Sequence, residues 1–309
     1  MISVGNITVG GTGKTPFVEY LIRSLSQKYR VAVLSHGYKR STKGFRYVDT
    51  NATPAEIGDE SYLIKHKFPE IVVAVDSNKV NGISQIYNTY PDTQIILLDD
   101  AFQYRKIRPN LSIVLADYNR PMYRDGMLPG GRLREWSCFA KRADILVVTK
   151  SPTNITLTEQ QNIEKRYAPV FHREIFFSCI GYGEPLLVYR ENVVARSLIS
   201  TNNLKQHDVL LVTGIANPKP FESYIRQHVA TVVSITFPDH HTFTEKDIKR
   251  IAEKMDDNKI LITTEKDAVR LQQMKIPEVM IKNSYYVPIE MKFTGKEINL
   301  LEFVHLGLG

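Results

Sequence analysis

Cysteine is nearly absent: the 309 residues contain only Cys138 and Cys179. Two cysteines cannot build a disulfide framework or a cysteine-rich zinc site, and such a chain suits the cytoplasm. Long apolar runs are missing as well. None approaches the roughly 18–20 residues that cross a bilayer, and no charged-then-apolar export signal opens the chain. Repeats and low-complexity tracts are also lacking. What is present is an ordinary globular composition, 43% hydrophobic and 24% charged, which excludes a disordered or fibrous chain. Lys and Arg outnumber Asp and Glu by 40 to 33, a net charge of +7. That excess suits a polyanionic ligand: phosphate, nucleic acid or an anionic membrane face.

Short β-branched runs recur along the first half: Ile2–Val4, Val31–Leu34, Ile71–Val75, Ile95–Leu98, Ile113–Ala116 and Ile145–Val148. Several are separated by longer segments of helical character, and Phe17, Leu21, Ile22 and Leu25 form one such stripe. Strands alternating with helices predict an α/β fold built on a doubly wound, mostly parallel sheet. Near residue 170 the rhythm changes. Phe171–Ile180 and Leu186–Tyr189 flank Gly181-Tyr182-Gly183-Glu184-Pro185, the pattern of a hairpin. A second α/β series follows, with strands at Val209–Val212, Val229–Ile235, Ile260–Thr263 and Tyr285–Ile289 and a helix around Ala268, Val269 and Leu271. The expected organisation is a nucleotide domain over 1–170, a β-hairpin linker over 171–200 and a smaller α/β domain over 201–309.

The strongest chemical signal is Gly10-Gly11-Thr12-Gly13-Lys14-Thr15 between the first strand and the first helix. Glycines let the backbone curl and aim successive N–H groups at phosphate oxygens, and the helix N-terminus adds its dipole. Lys14 reaches β- and γ-phosphates, and the Thr15 hydroxyl ligates Mg²⁺. The strict P-loop pattern wants glycine where Thr8 stands. A metal carboxylate is expected at the end of the apolar strand Ile95–Leu98, where Asp99-Asp100 follow. In doubly wound sheets ligands sit beyond the carboxyl ends of the strands.

A P-loop fixes a nucleotide but not a reaction. Thr149-Lys150-Ser151-Pro152 opens like a guanine-reading motif, yet Pro152 occupies the place of its aspartate, which speaks against a GTPase. Val9 stands where a MinD-like ATPase carries lysine. A kinase needs a base for its acceptor hydroxyl. Gly58-Asp59-Glu60 and Phe237-Pro238-Asp239-His240-His241 both offer one. In isolation the first also reads as an acid pair favoured by a helix N-terminus, and the second as a surface loop. A nucleotide-switch ATPase without a small-molecule acceptor remains the other class.

Taken together, these residues resemble the tetraacyldisaccharide 4'-kinase (lipid A 4'-kinase) family over nearly the whole chain. The resemblance rests on Gly5-Asn6-Ile7-Thr8-Val9-Gly10-Gly11-Thr12-Gly13-Lys14-Thr15-Pro16, Ser35-His36-Gly37-Tyr38, Gly58-Asp59-Glu60 and Asp99-Asp100-Ala101-Phe102-Gln103. It continues with Leu128-Pro129-Gly130-Gly131-Arg132-Leu133-Arg134-Glu135, Phe237–His241 and Thr264-Glu265-Lys266-Asp267-Ala268, in the family order. The family's own loop accounts for Thr8. The resemblance implies transfer of the ATP γ-phosphate to the 4'-hydroxyl of a tetraacylated glucosamine disaccharide 1-phosphate, giving lipid IVA. It implies ATP and Mg²⁺ as cofactors and a peripheral place on the cytoplasmic face of the bacterial inner membrane. By the same resemblance Thr8 to Thr15 cradle the nucleotide, and Lys14 and Thr15 hold phosphates and metal. Asp99 and Asp100 form the Walker-B pair, with Glu135 as a further metal-site acid. Asp59 is the catalytic base paired with His240, and Gln103 and Arg134 shape the site.

A base pair with one member in each domain makes transfer depend on domain closure, which excludes competing water; the hairpin around 171–189 is the expected hinge. Departures from the family are His36 for Arg, Ala101 for Gly and Tyr104 for His. The family also carries a helical segment ahead of the phosphate-loop strand that contacts membrane and lipid, whereas this sequence begins beside that strand. Two basic stretches offer anionic contacts: Lys39, Arg40, Lys43 and Arg46, and Lys141-Arg142 after Trp136 and Phe139. The first reads as a phosphate or lipid contact or as a solvated loop. The second reads as an interfacial patch or as a helix with snorkelling bases. Neither interleaves basic and aromatic residues as a single-strand nucleic-acid groove does, so nucleic acid is not an expected partner, and no protein partner is indicated.

Overall fold

A computed structural model of the chain describes residues 1–189, 200–201, 203–239, 241–256, 258–294 and 297–306. Two compact units emerge: Met1–Gly181 together with Glu290–Gly309, and Tyr182–Ile289. The first opens with β1 (Ile2–Gly5), α1 (Lys14–Leu25), β2 (Val31–Ser35) and β3 (Arg46–Tyr47). It continues through α2 (Pro54–Ile57), α3 (Asp59–Lys67), β4 (Val72–Val75), α4 (Lys79–Thr89), β5 (Ile95–Asp99) and β6 (Leu111–Asp117). Then come β7 (Ile145–Thr149), α5 (Leu157–Tyr167) and β8 (Glu174–Tyr182). Strands β1, β2, β5 and β7 are buried at every residue, as parallel strands covered on both faces must be. Helix α1 buries Phe17, Val18, Leu21, Ile22 and Leu25, the expected stripe.

The second unit holds β9 (Leu186–Leu187), β10 (Asp208–Thr213), α6 (Lys219–His228), β11 (Thr231–Thr236) and α7 (Glu245–Ala252). These are followed by β12 (Lys259–Thr264), α8 (Glu265–Gln272), α9 (Glu278–Asn283) and β13 (Ser284–Val287). Its five-stranded sheet runs β11-β10-β12-β13-β9, parallel except for β9. The chain then returns to the first unit with β14 (Ile289–Phe293) and α10 (Glu297–Leu306). The nine-stranded sheet of that unit has the order β14-β8-β7-β6-β1-β5-β2-β4-β3. Both sheets have the doubly wound, mostly parallel character expected from the sequence.

The expected hairpin takes another form. β8 and β9 do not pair with each other: β8 lies between β7 and β14, whereas β9 runs antiparallel to β13. Gly181 to Pro185 is thus where the chain passes from one unit to the next. The compact units also differ from the expected boundaries, because the last strand and helix pack with the first unit. Phe293 of β14 sits edge-on to Phe17 of α1 at a centroid distance of 6.3 Å.

What positions the site is the sheet order. β1 is flanked by β5 on one side and β6 on the other, all three parallel. The phosphate loop therefore leaves the middle of the sheet at its carboxyl edge. Acids ending β5 lie on one side of it and residues ending β6 and β7 on the other.

Candidate active site

The loop after β1 is held in shape before any ligand arrives. Gly10 and Gly13 adopt positive φ angles of 102° and 84°, a region open to glycine at little cost. Asn6 Nδ2 donates to Thr12 Oγ1 at 2.8 Å, tying the start of the loop to its end. From outside, Val9 N donates to Arg132 O at 2.8 Å and Arg134 N to Ile7 O at 2.7 Å. With the antiparallel bridge Thr8–Leu133, these bonds make Thr8 a strand-like residue, which is why the loop needs no glycine there. Gln103 Nε2 and Arg134 Nη2 both donate to Asn6 O, at 2.6 and 3.1 Å. Gln103 and Arg134, expected at the site, are thus brought to the root of the loop. Helix α1 begins at Lys14 with no side-chain cap and no acid in its first turn. Its first N–H groups therefore point at the loop without an internal partner, which is the construction of an anion site.

On the β5 side stand the two acids. Asp99 ends the strand and is buried; its Oδ2 accepts from Ser35 Oγ at 3.0 Å. Its Oδ1 is buried with no hydrogen-bond partner among the described residues. Burial, and next the charge of Glu60, push this carboxyl well above the usual range, while Lys79 and Lys14 pull it back. A buried carboxylate oxygen left unsatisfied calls for an ion or water, so the site fits a divalent cation. Asp100 has φ 47° and takes both guanidinium nitrogens of Arg134, Nη2 to Oδ1 at 3.1 Å and Nη1 to Oδ2 at 3.3 Å. Lys14 Nζ stands 3.7 Å from its Oδ1 and 3.4 Å from Asn6 Oδ1. Burial works against the Asp100 charge, but Lys14 and Arg134 outweigh it and hold this acid below its usual value. Among the described residues no cluster of three or more His, Cys, Asp or Glu side chains forms a metal cage. Nucleotide-bound Mg²⁺ needs none, since it takes one or two carboxylates and completes its shell with phosphate oxygens and water.

Three more segments converge here. Helix α3 starts at Asp59, preceded by Gly58 at φ 89°. A Cβ on Gly58 would lie 3.0 Å from Tyr38 O, so the Gly58-Asp59-Glu60 and His36-Gly37-Tyr38 motifs abut. The Glu60 charge is felt at Asp99, which puts the start of α3 within electrostatic reach of that acid. His36 is held below the usual imidazole value by burial and by the charges of Lys79 and Arg40, so it is mostly neutral near pH 7 and supplies no fixed cation. Tyr104 donates its hydroxyl to Asn78 Oδ1 at 3.1 Å.

Lys79 was not foreseen from the sequence. It is 2% exposed, and its Nζ donates to Leu34 O at 2.9 Å and Asp99 O at 3.1 Å. Burial drives its pKa down to about 8 against the pull of Asp99, Asp100 and Asp76. It clamps the carbonyl ends of β2 and β5 and puts a charge beneath the acids. The available signal was weak: a lysine in the first turn of a helix, where the dipole disfavours it. Asn6 was likewise foreseen only as part of a motif.

Other expected residues stand elsewhere. Glu135 lies beside Arg142 Nη2 at 2.5 Å and Arg105 Nη2 at 3.8 Å, and Arg142 in turn covers the Phe102 ring at 4.7 Å. Arginines, not a carboxylate cluster, surround that acid. His240 lies outside the described residues. Its neighbour His241 stacks on Phe237 at 4.7 Å, and its Nε2 is 2.9 Å from Asp247 Oδ2.

The family model described as tetraacyldisaccharide-1-P 4'-kinase (LpxK) matches residues 1–305. The tetraacyldisaccharide 4'-kinase of Flavobacterium johnsoniae is 43% identical over 299 residues, covering 97% of this chain and 84% of that protein. The enzyme of the same name from Parabacteroides distasonis is 43% identical over 302 residues, with coverages of 95% and 81%. A crystal structure of apo-form LpxK from Aquifex aeolicus in complex with ATP superposes with a TM-score of 0.75 at 26% identity, covering 100% of this chain and 88% of that one. With a glycine loop facing two strand-end acids, a family model matching residues 1–305 and 43% identity over 97% of the chain, this chain belongs to the tetraacyldisaccharide-1-P 4'-kinase family.

Proposed function

We propose that this protein is an ATP-dependent kinase that phosphorylates the 4'-hydroxyl of a tetraacylated glucosamine disaccharide 1-phosphate in lipid A biosynthesis, giving lipid IVA. The observation that carries the reading is Lys14 of the phosphate loop standing 3.7 Å from Asp100, in a chain of the kinase family. Phosphoryl transfer asks mainly for positioning and charge neutralisation. The loop amides, Lys14 and the first turn of α1 bind the β- and γ-phosphates. Thr15, Asp99 and Asp100 would hold Mg²⁺, which when bound neutralises charge on the β- and γ-oxygens. Glu135 would have to exchange Arg142 for the cation to join them. Arg134, braced on Asp100 and Asn6, fixes the acid side of the loop. Asp59, with His240, takes the proton of the acceptor hydroxyl as that oxygen bonds to the γ-phosphorus and the bond to ADP breaks. The test is a mass gain of one phosphate on the lipid precursor that requires both protein and ATP-Mg²⁺. ATP consumption equal with and without the lipid, and no phosphorylated lipid, would establish the nucleotide-switch ATPase instead.

For location, the proposal is a peripheral protein on the cytoplasmic face of the inner membrane. Among the described residues no helix is long and apolar enough to cross a membrane. Between residues 120 and 142 six basic residues stand against two acids, and Leu128 and Trp136 are 50% and 61% exposed. Apolar tips among basic groups suit an anionic interface. Trp136 is the chain's only tryptophan, so selectively excited tryptophan emission reports on this segment alone. Vesicles containing phosphatidylglycerol are expected to shift its emission to the blue; an unchanged spectrum in vesicle-bound protein would remove the segment from the membrane contact.

A further inference from the structure

The sequence motif that the kinase reading leaves unused is Thr149-Lys150, the start of a guanine-reading signature interrupted by Pro152. In the structure both side chains land on the phosphate loop. Thr149 is fully buried at the end of β7; its Oγ1 is 2.7 Å from Thr12 O and 3.2 Å from Ala116 O. Lys150 Nζ bonds to Gly11 O and stands 2.7 Å from Asp117 Oδ2. The Lys150 backbone has φ 57°, an uncommon conformation for a residue with a long side chain. Asp117 ends β6, and its Oδ1 accepts from Asn119 N at 2.9 Å.

The sheet order gives these contacts a direction. Along β7-β6-β1-β5, the acids that face Lys14 lie on the β5 side of the loop, and Asp117 and Lys150 lie on the β6–β7 side. A triphosphate whose γ end rests between Lys14 and the acids must run its other end across β1 toward β6 and β7. The nucleoside then arrives over Lys150. The ammonium there is already engaged by Asp117 and a loop carbonyl, so it is poorly placed to attract a phosphate, while its methylene stem offers an apolar surface. We propose that Lys150, its ammonium engaged by Asp117, forms the seat for the nucleoside end of ATP, its methylene stem lying under the base or ribose. With Pro152 at the place of the guanine-reading acid, this seat supplies contact area without that hydrogen bond.

The inference rests on the ATP reading of the loop, but its test needs no lipid. Binding of ADP and of inorganic tripolyphosphate is measured by calorimetry for wild type, Lys150→Met and Lys150→Ala. Lys150→Met keeps an apolar stem, and ADP affinity is expected to stay within about threefold. Lys150→Ala removes the stem, and ADP affinity is expected to fall about tenfold or more, as loss of several buried methylenes implies. Tripolyphosphate, having no nucleoside, should bind both variants nearly alike. The proposal is overturned if Lys150→Met loses as much ADP affinity as Lys150→Ala, if Lys150→Ala loses none, or if tripolyphosphate weakens in step with ADP. A protein that shows the expected pattern yet phosphorylates no lipid would keep the seat and lose the kinase assignment.

Discussion

Lys14→Ala is expected to lower kcat/KM for phosphoryl transfer by a factor on the order of 10² to 10³, the usual cost of removing one preorganised charge-stabilising group. In the structure the contacts of Lys14 are long: its ammonium rests 3.4 Å from Asn6 Oδ1 and 3.7 Å from Asp100 Oδ1. Asn6 keeps its bond to Thr12 and Asp100 keeps Arg134 when Lys14 is gone, so the loop should hold its shape and the melting temperature should change little. Asp100 will respond. Its carboxyl is held below the usual value by Lys14 and Arg134 against the effect of burial, so deleting Lys14 moves its pKa upward. The residual activity should therefore fall off at a higher pH on the acid side than it does in wild type. Transfer measured across pH with both proteins checks the size of the loss and the direction of the shift. A variant that retains near wild-type transfer would place the γ-phosphate elsewhere.

The start of this site was legible in the sequence for a physical reason. A strand, a glycine loop and a helix dipole are local, so Ile2–Gly5, the loop to Gly13 and α1 from Lys14 could be read from neighbouring residues. Asp99 at the end of an apolar strand was legible by the same logic. Features that depend on distant pairing were less so. The turn-forming residues Gly181 to Pro185 look like a hairpin locally, yet β8 pairs with β7 and β9 with β13, about a hundred residues apart in the second case. Adjacent residues also diverge: Arg134 goes to Asp100 while Glu135 goes to Arg142, and sequence adjacency carries no information on side-chain direction. Lys79 was hidden because lysines are almost never fully buried without partners, and its partners are two main-chain carbonyls from other strands. Pro152 dismissed the guanine signature correctly as a base reader, but the Thr149-Lys150 half retains its hold on the loop.

Asp59→Ala is expected to slow transfer by about 10² to 10⁴-fold, the range for loss of a positioned general base, with ATP affinity nearly unchanged. The two effects separate because of where the residue stands. Asp59 is the first residue of α3, behind Gly58, whereas the proposed nucleotide contacts come from the loop after β1 and from α1. Glu60, the charge that most raises the Asp99 carboxyl, stays in place when Asp59 is removed, so that contribution to Asp99 is kept. A purely structural role at the helix N-terminus predicts something different: a stability loss of about 0.3–1 kcal/mol from the lost dipole interaction and little change in rate. Asp59→Asn distinguishes the two further, since it keeps the size and much of the capping ability but cannot accept the proton as a carboxylate does. A slow Asp59→Asn enzyme with wild-type stability fits a base; a fast one removes Asp59 from that role and turns attention to Glu60. If Asp59 and His240 act as one proton-accepting unit, the double variant Asp59→Ala/His240→Ala should be scarcely slower than the slower single variant, because groups that act together lose their contribution once either is gone. Losses that multiply would mean that the two residues serve separate steps.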